Sequence, residues 1–155
     1  MLPLPYPDGN FSIVSARFAF HHFLDPLAVL KEMRRVCSSR GRVVVADSAP
    51  VASKAEAFNA MERLRDPSHV RAFPVEELRG MFRDAGLPEP RMEMYRLKGE
   101  LEELLTRSFP NEGDADRIRA IFEESISTDS LDMATERREG KIYYSFPVAI
   151  LLAVV

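Results

Sequence analysis

Three side chains able to hold or move a proton fall where strands are expected to end. His21 and His22 follow the run Phe11–Ala16 (FSIVSA), and Asp47 closes the run Arg42–Asp47 (RVVVAD). Imidazole exchanges a proton near neutral pH, so either histidine is a candidate base or hydrogen-bond donor. Asp47 is a candidate to orient a substrate or accept a proton. Each residue also has a plainer reading. Phe18, Phe20 and His21 would pack beneath the next helix and cap backbone groups, and Asp47 would serve as a helix cap or turn acceptor. Metal binding fits poorly, because adjacent histidines on a short segment diverge and no third ligand stands at metal-site spacing. No Ser-His-Asp arrangement is visible.

The elements that must position these groups follow from the pattern. Pro7-Asp8-Gly9-Asn10 is a turn signal before the first strand. Asp25 caps a helix that has Pro26 at its first position, with Val29, Leu30, Met33, Val36 and Cys37 on one stripe and Gly41 as its stop. The valines of RVVVAD read as a strand covered on both faces. Strand, helix and strand make a parallel βαβ unit, and ligands of such sheets lie outside the carboxyl ends of the strands.

Ser53 and Glu56 read as a capping box for a helix over 54–64. A second helix spans 73–85, a strand 91–97, and helices are marked by Leu101, Leu104, Leu105 and Phe109 and by Ile118, Ile121, Phe122 and Ile126. Residues 127–141 read as polar loop, and residues 142–155 as a closing strand with Pro147 near its start or at a bulge. The expectation is an α/β fold: a partial doubly wound, Rossmann-like sheet of two parallel strands plus a carboxyl-terminal antiparallel pair, with helices on both faces. One domain, 1–155, holds the βαβ core (4–47), helices (48–90) and the terminal strands and helices (91–155).

Composition narrows the classes. A net charge of −3 argues against a nucleic-acid surface. The final apolar run, residues 147–155, is far short of the ~20 residues that span a bilayer. Cys37 is the only cysteine, which excludes an intrachain disulfide and fits a reducing cytoplasm. No secretion signal is expected.

The stretch LPYPDGNFSIVSARFAFHHFLDPLAVLKEMRRVCSSRGRVVVAD, residues 4–47, closely resembles the class I S-adenosylmethionine-dependent methyltransferases, in the branch that includes the quinone-biosynthesis C-methyltransferases. HVRAFPVEELRGMFRDAGL (69–87) and FPVAILLAVV (146–155) resemble the same family. The resemblance implies a methyl transfer from S-adenosylmethionine to a small-molecule acceptor. It implies that Tyr6, Arg17 and Phe18 border the cofactor, and that Phe58, Met61, His69 and Phe73 shape the acceptor pocket. Met and Phe at helical spacing are more often core. The family's Gly-x-Gly loop is missing, since no two of the seven glycines are separated by one residue. Relative to the family the chain reads as the carboxyl-terminal part, lacking roughly 60 to 90 residues at ~30 per βαβ unit. The uncovered edge of the first strand then predicts a homo-oligomer. A non-catalytic, self-associating scaffold derived from a methyltransferase is the alternative.

Overall fold

Val43 and Val45 are wholly buried, whereas Val44 between them keeps part of its surface. That alternation divides the sheet into a fully covered face and a partly covered one. The computed structural model describes residues 3–155. Its elements, in order, are β1 (Phe11–Arg17), a 3-10 turn (Phe20–His22), α1 (Pro26–Val36), β2 (Cys37–Ser48), a 3-10 turn (Ala52–Lys54), α2 (Ala55–Arg65), α3 (Val75–Asp84), β3 (Arg91–Glu100), α4 (Leu101–Thr106), α5 (Asp114–Thr128), β4 (Glu136–Arg138) and β5 (Lys141–Val154).

The strand order is β1-β2-β5-β3, with β4 paired alongside β5. β1 and β2 are parallel, and β5 runs antiparallel to both β2 and β3. The expected βαβ unit and antiparallel pair are therefore present, with β5 inserted between β2 and β3. Leu30 and Met33 of α1 and Leu78 and Phe82 of α3 pack on Val43, Val45, Ala149, Leu151 and Ala153. Ile142, Tyr144 and Phe146 point the other way, onto Phe58, Leu101, Ile118 and Phe122 of α2, α4 and α5. Helices thus cover both faces. Towards β1, however, the second face is open: Val44, Ala46, Ile150 and Leu152 are half-buried and Ile13 and Val154 are exposed. The valine strand is fully covered on one side only.

Several local expectations are corrected. α1 ends at Val36, and Gly41 lies inside β2, at a register shift opposite β1. A Cβ there would come 2.6 Å from Cys37 Sγ and 2.8 Å from the Ser38 carbonyl, so close approach explains the glycine. The Ser53–Glu56 box does not form; a 3-10 turn leads into α2, whose cap makes no side-chain bond. Phe109 lies beyond α4 and is exposed. Residues 127–141 contain β4 and bury Leu131 and Met133, pinned by Asp129, whose Oδ1 accepts from the N–H groups of Met133 and Ala134. Among the described residues, no helix is long and apolar enough to cross a membrane.

Gly99 lies under the Tyr144 phenol, and a Cβ there would fall inside the envelope of Tyr144 Oη and Cζ. The ring cannot retreat easily, because Phe122 and Phe146 meet it edge-on at 5.6 and 5.0 Å. Gly99→Ala is expected to destabilise the fold by about 1–3 kcal/mol in urea unfolding, as overpacked sites do. An unchanged midpoint would count against this packing.

Candidate active site

Asp47, near the end of β2, is 2% exposed. Its Oδ2 accepts the N–H groups of Phe20 (2.7 Å) and His21 (3.2 Å), and its Oδ1 accepts that of Ser48 (2.7 Å). Oδ1 also lies 2.5 Å from His21 Nδ1. With three N–H donors aimed at it, the carboxylate is in the acceptor state. The hydrogen on this contact therefore belongs to His21, whose Nδ1 donates to Oδ1.

The turn that aims these donors begins at the end of β1. Phe18 has φ of 47°, and its N–H donates to the Ala46 carbonyl at 2.9 Å. A bulky residue in that region is strained by roughly 1–3 kcal/mol, a condition that clusters at functional sites. The Arg17 guanidinium stacks on the Phe18 ring at 4.5 Å.

Residues 66–72 close over the turn. The Val70 and Arg71 N–H groups both donate to the His21 carbonyl, at 3.0 and 2.9 Å. His22 Nδ1 lies 2.9 Å from the Ser68 carbonyl and donates to it. His69 Nε2 lies 2.6 Å from Asn59 Oδ1 on α2. Ring centroids are 4.1 Å apart for His21 and His22, 5.2 Å for His21 and His69, and 6.4 Å for His22 and His69. His69 Nδ1 is the buried side-chain polar atom without a partner among the described residues. An acceptor left so costs roughly 1–3 kcal/mol. Burial, reinforced by the neighbouring His21 and His22 and by Arg65 and Arg63, pushes the His69 pKa down to about 3, so the ring is neutral. Among the described residues, no group of three or more His, Cys, Asp or Glu is disposed to hold a metal ion.

The structure thus brings His21, His22, His69 and Asp47 together from three segments. It does not bring in the other pocket candidates. Phe58 and Met61 are wholly buried in the α2–α4–α5 core, and Phe73 is buried in the core under α1 and α3. Tyr6 stands apart, its ring edge-on to Phe11 at 4.9 Å and its carbonyl held by Arg35. A cavity of about 550 Å³ lies elsewhere, beside Lys98, Glu100, Arg138 and Tyr143. Asn59 and Ser68 escaped the sequence reading. The available signal was a polar residue, Asn59, beside the buried stripe of α2.

Residues 4–88 match a family model described as a methyltransferase domain. YcgJ of Bacillus subtilis, named as an uncharacterised methyltransferase, is 42% identical over 81 residues, covering 51% of this chain and 32% of its own length. YafE of Escherichia coli K12, an uncharacterised protein, is 31% identical over 128 residues, covering 81% and 61%. A demethylmenaquinone methyltransferase of Deinococcus radiodurans is 43% identical over 63 residues, covering 41% and 25%. The crystal structure of YcgJ superposes with a TM-score of 0.85 at 24% identity, covering 98% of this chain and 67% of that one, which shows a shared fold. The chain spans 25% to 61% of the length of these three relatives.

The depressed His69 pKa has a consequence for stability. The folded state takes up this proton near pH 3, against an ordinary imidazole value of 6.5, so folding excludes the proton between those values. The stabilisation from the neutral ring is fully present above pH 6.5 and is lost as pH falls towards 3. Chemical denaturation of wild type and His69→Phe should diverge with a slope approaching about 1.4 kcal/mol per pH unit between pH 4 and 6, wild type losing more on acidification. Parallel curves would contradict a neutral buried His69.

Proposed function

The chain belongs to the methyltransferase-domain family, and from that premise we propose that it forms the acceptor side of an S-adenosylmethionine-dependent methyltransferase acting on a small molecule. The observation that carries the reading is the Asp47–His21 pair at the carboxyl ends of two parallel strands, with His21 Nδ1 2.5 Å from Asp47 Oδ1. S-adenosylmethionine, when bound, supplies an electrophilic methyl group on a sulfonium. The chain's own residues align the acceptor and take its proton. Asp47 would hold His21 with Nδ1 protonated and Nε2 placed to take the acceptor's proton when the methyl passes from sulfur to the acceptor, and the carboxylate would stabilise the resulting imidazolium. His22 and His69 border the same space.

The residues present fit part of the cofactor. Arg17, exposed at the end of β1, offers a cation to a carboxylate such as that of the methionine moiety, and the turned backbone at Phe18 leaves the strand end open. Tyr6 is a further candidate contact. No Gly-x-Gly segment lies within the 155 residues, so no loop of this chain is assigned to the adenosine. The name of the Deinococcus relative, a demethylmenaquinone methyltransferase, supports a metabolite as acceptor. Family membership favours a transferase over the scaffold alternative.

We also infer self-association along β1, which pairs only with β2 among the described residues and exposes Ile13.

Three measurements test these readings. Calorimetric titration with S-adenosylhomocysteine should give saturable binding that weakens at least tenfold in Arg17→Ala; no heat at high concentration would sink cofactor binding by this chain. His21→Gln should bind that compound unchanged yet lower methyl transfer by roughly 10²–10⁴-fold, the usual worth of a positioned base. For self-association, light scattering behind size-exclusion should find an oligomer that Ile13→Lys dissociates, and a monodisperse wild-type monomer would refute it.

A further inference from the structure

Glu100 is a buried carboxylate without a cation. The residue is 8% exposed, and its Oε1 accepts the Glu102 N–H at 2.8 Å as the cap of α4. Among the described residues no lysine or arginine pairs with it, and its second oxygen makes no hydrogen bond. Charges held away from water in native proteins are paired, because stripping their hydration is costly. The cavity of about 550 Å³ opens beside this carboxylate.

The register shows what else faces that cavity. β2 ends opposite Val148, so residues 141–145 of β5 run on past it, paired with β3 and β4. Glu100 and Glu136 flank Tyr143 on the neighbouring strands; Lys98 stands opposite Ser145, and Arg138 opposite Lys141. Opposed and alternate residues share a face, so these residues form one floor, and all of them border the cavity. The charges run in rows: Lys98, then Glu100 and Glu136, then Lys141 and Arg138. Some of this charge is already matched. Arg138 pairs with Glu136 at 3.1 Å, and its guanidinium lies 4.3 Å over the Tyr143 ring. Glu103, also beside the cavity, pairs with Arg107 at 3.2 Å. Lys98 and Lys141 are exposed and make no ion pair or side-chain hydrogen bond among the described residues. What stays unmatched is cation, carboxylate, cation, in that order.

We propose that this cavity is a binding site for a free acidic α-amino acid. The ligand's ammonium meets the second oxygen of Glu100. Its α-carboxylate meets Lys98, two residues back along the same face of β3 and so about 7 Å away at the backbone. Its side-chain carboxylate reaches Lys141, two residues along β5 from the rung that Glu100 shares with Tyr143. A simple anion would leave Glu100 unpaired, and a simple amine would leave both lysines so. A molecule with both signs in the complementary order matches all three. Neither Asp47 nor any of the three histidines borders this cavity, so the inference stands apart from the methyltransferase reading.

The test is calorimetric titration of the whole chain with L-glutamate and with glutarate, which keeps both carboxylates and lacks the ammonium. L-Glutamate should bind saturably and roughly tenfold more tightly than glutarate, the worth of a charge-assisted hydrogen bond. Glu100→Gln keeps an oxygen for the α4 cap and should erase that preference. Lys98→Met, at an exposed position, should weaken L-glutamate by a similar factor, and it carries the test if Glu100→Gln does not fold. No saturable heat with L-glutamate overturns the proposal, as does glutarate binding equally well. A preference that survives Glu100→Gln, or an affinity that survives Lys98→Met, overturns it too.

Discussion

The carboxylate of Asp47 is the constraint on which the site depends. It receives the N–H groups of Phe20, His21 and Ser48 and the ring nitrogen of His21. These bonds tie the end of β2 to the turn that follows β1, so closing the sheet edge and orienting the imidazole are one event. A buried carboxylate is tolerated because every approach to it is filled by a donor. Its removal would strip a charge and also leave buried backbone N–H groups without acceptors.

Around that anchor the site is built in tiers. Segment 66–72 is held to the His21 carbonyl, and Asn59 on α2 fixes both that segment and the tautomer of His69. Asn59 is itself held by two backbone carbonyls, so rigidity passes from helix to loop to ring. Phe18, where the chain turns out of β1, is one of the non-glycine residues held at positive φ. Arg17 and Phe18, two of the candidate cofactor contacts, and His21, the proposed base, follow this one strand end, so cofactor and acceptor would meet across it.

How far the sequence revealed this depends on the range of each interaction. The βαβ unit was legible because its signals are local: the Asp25 cap, whose side chain accepts the Ala28 N–H, and the stripe of Leu30, Met33 and Val36. His21 and Asp47 were legible as strand-end residues, while their contact spans 26 positions and has no local signature. The Ser53–Glu56 box misled because a 3-10 turn took the start of α2. Phe58 and Met61 lay on a stripe that fits core or pocket alike, and only the packing of α5 decides between them. Asn59 was invisible for a similar reason: its partners Ala72 and His69 lie 10 or more residues away.

The place of β5 also bears on how the fold is reached. It separates β2 from β3 and hydrogen-bonds to both, yet both precede it in the chain. Until residues 141–154 have left the ribosome, β2 and β3 have no strand between them, and their edges stay open. The βαβ unit can assemble early from near neighbours, whereas the sheet waits on contacts of long sequence separation. A nascent chain in that interval exposes paired-strand edges and the apolar side chains of both faces, the condition in which unfinished proteins associate with one another or call on chaperones.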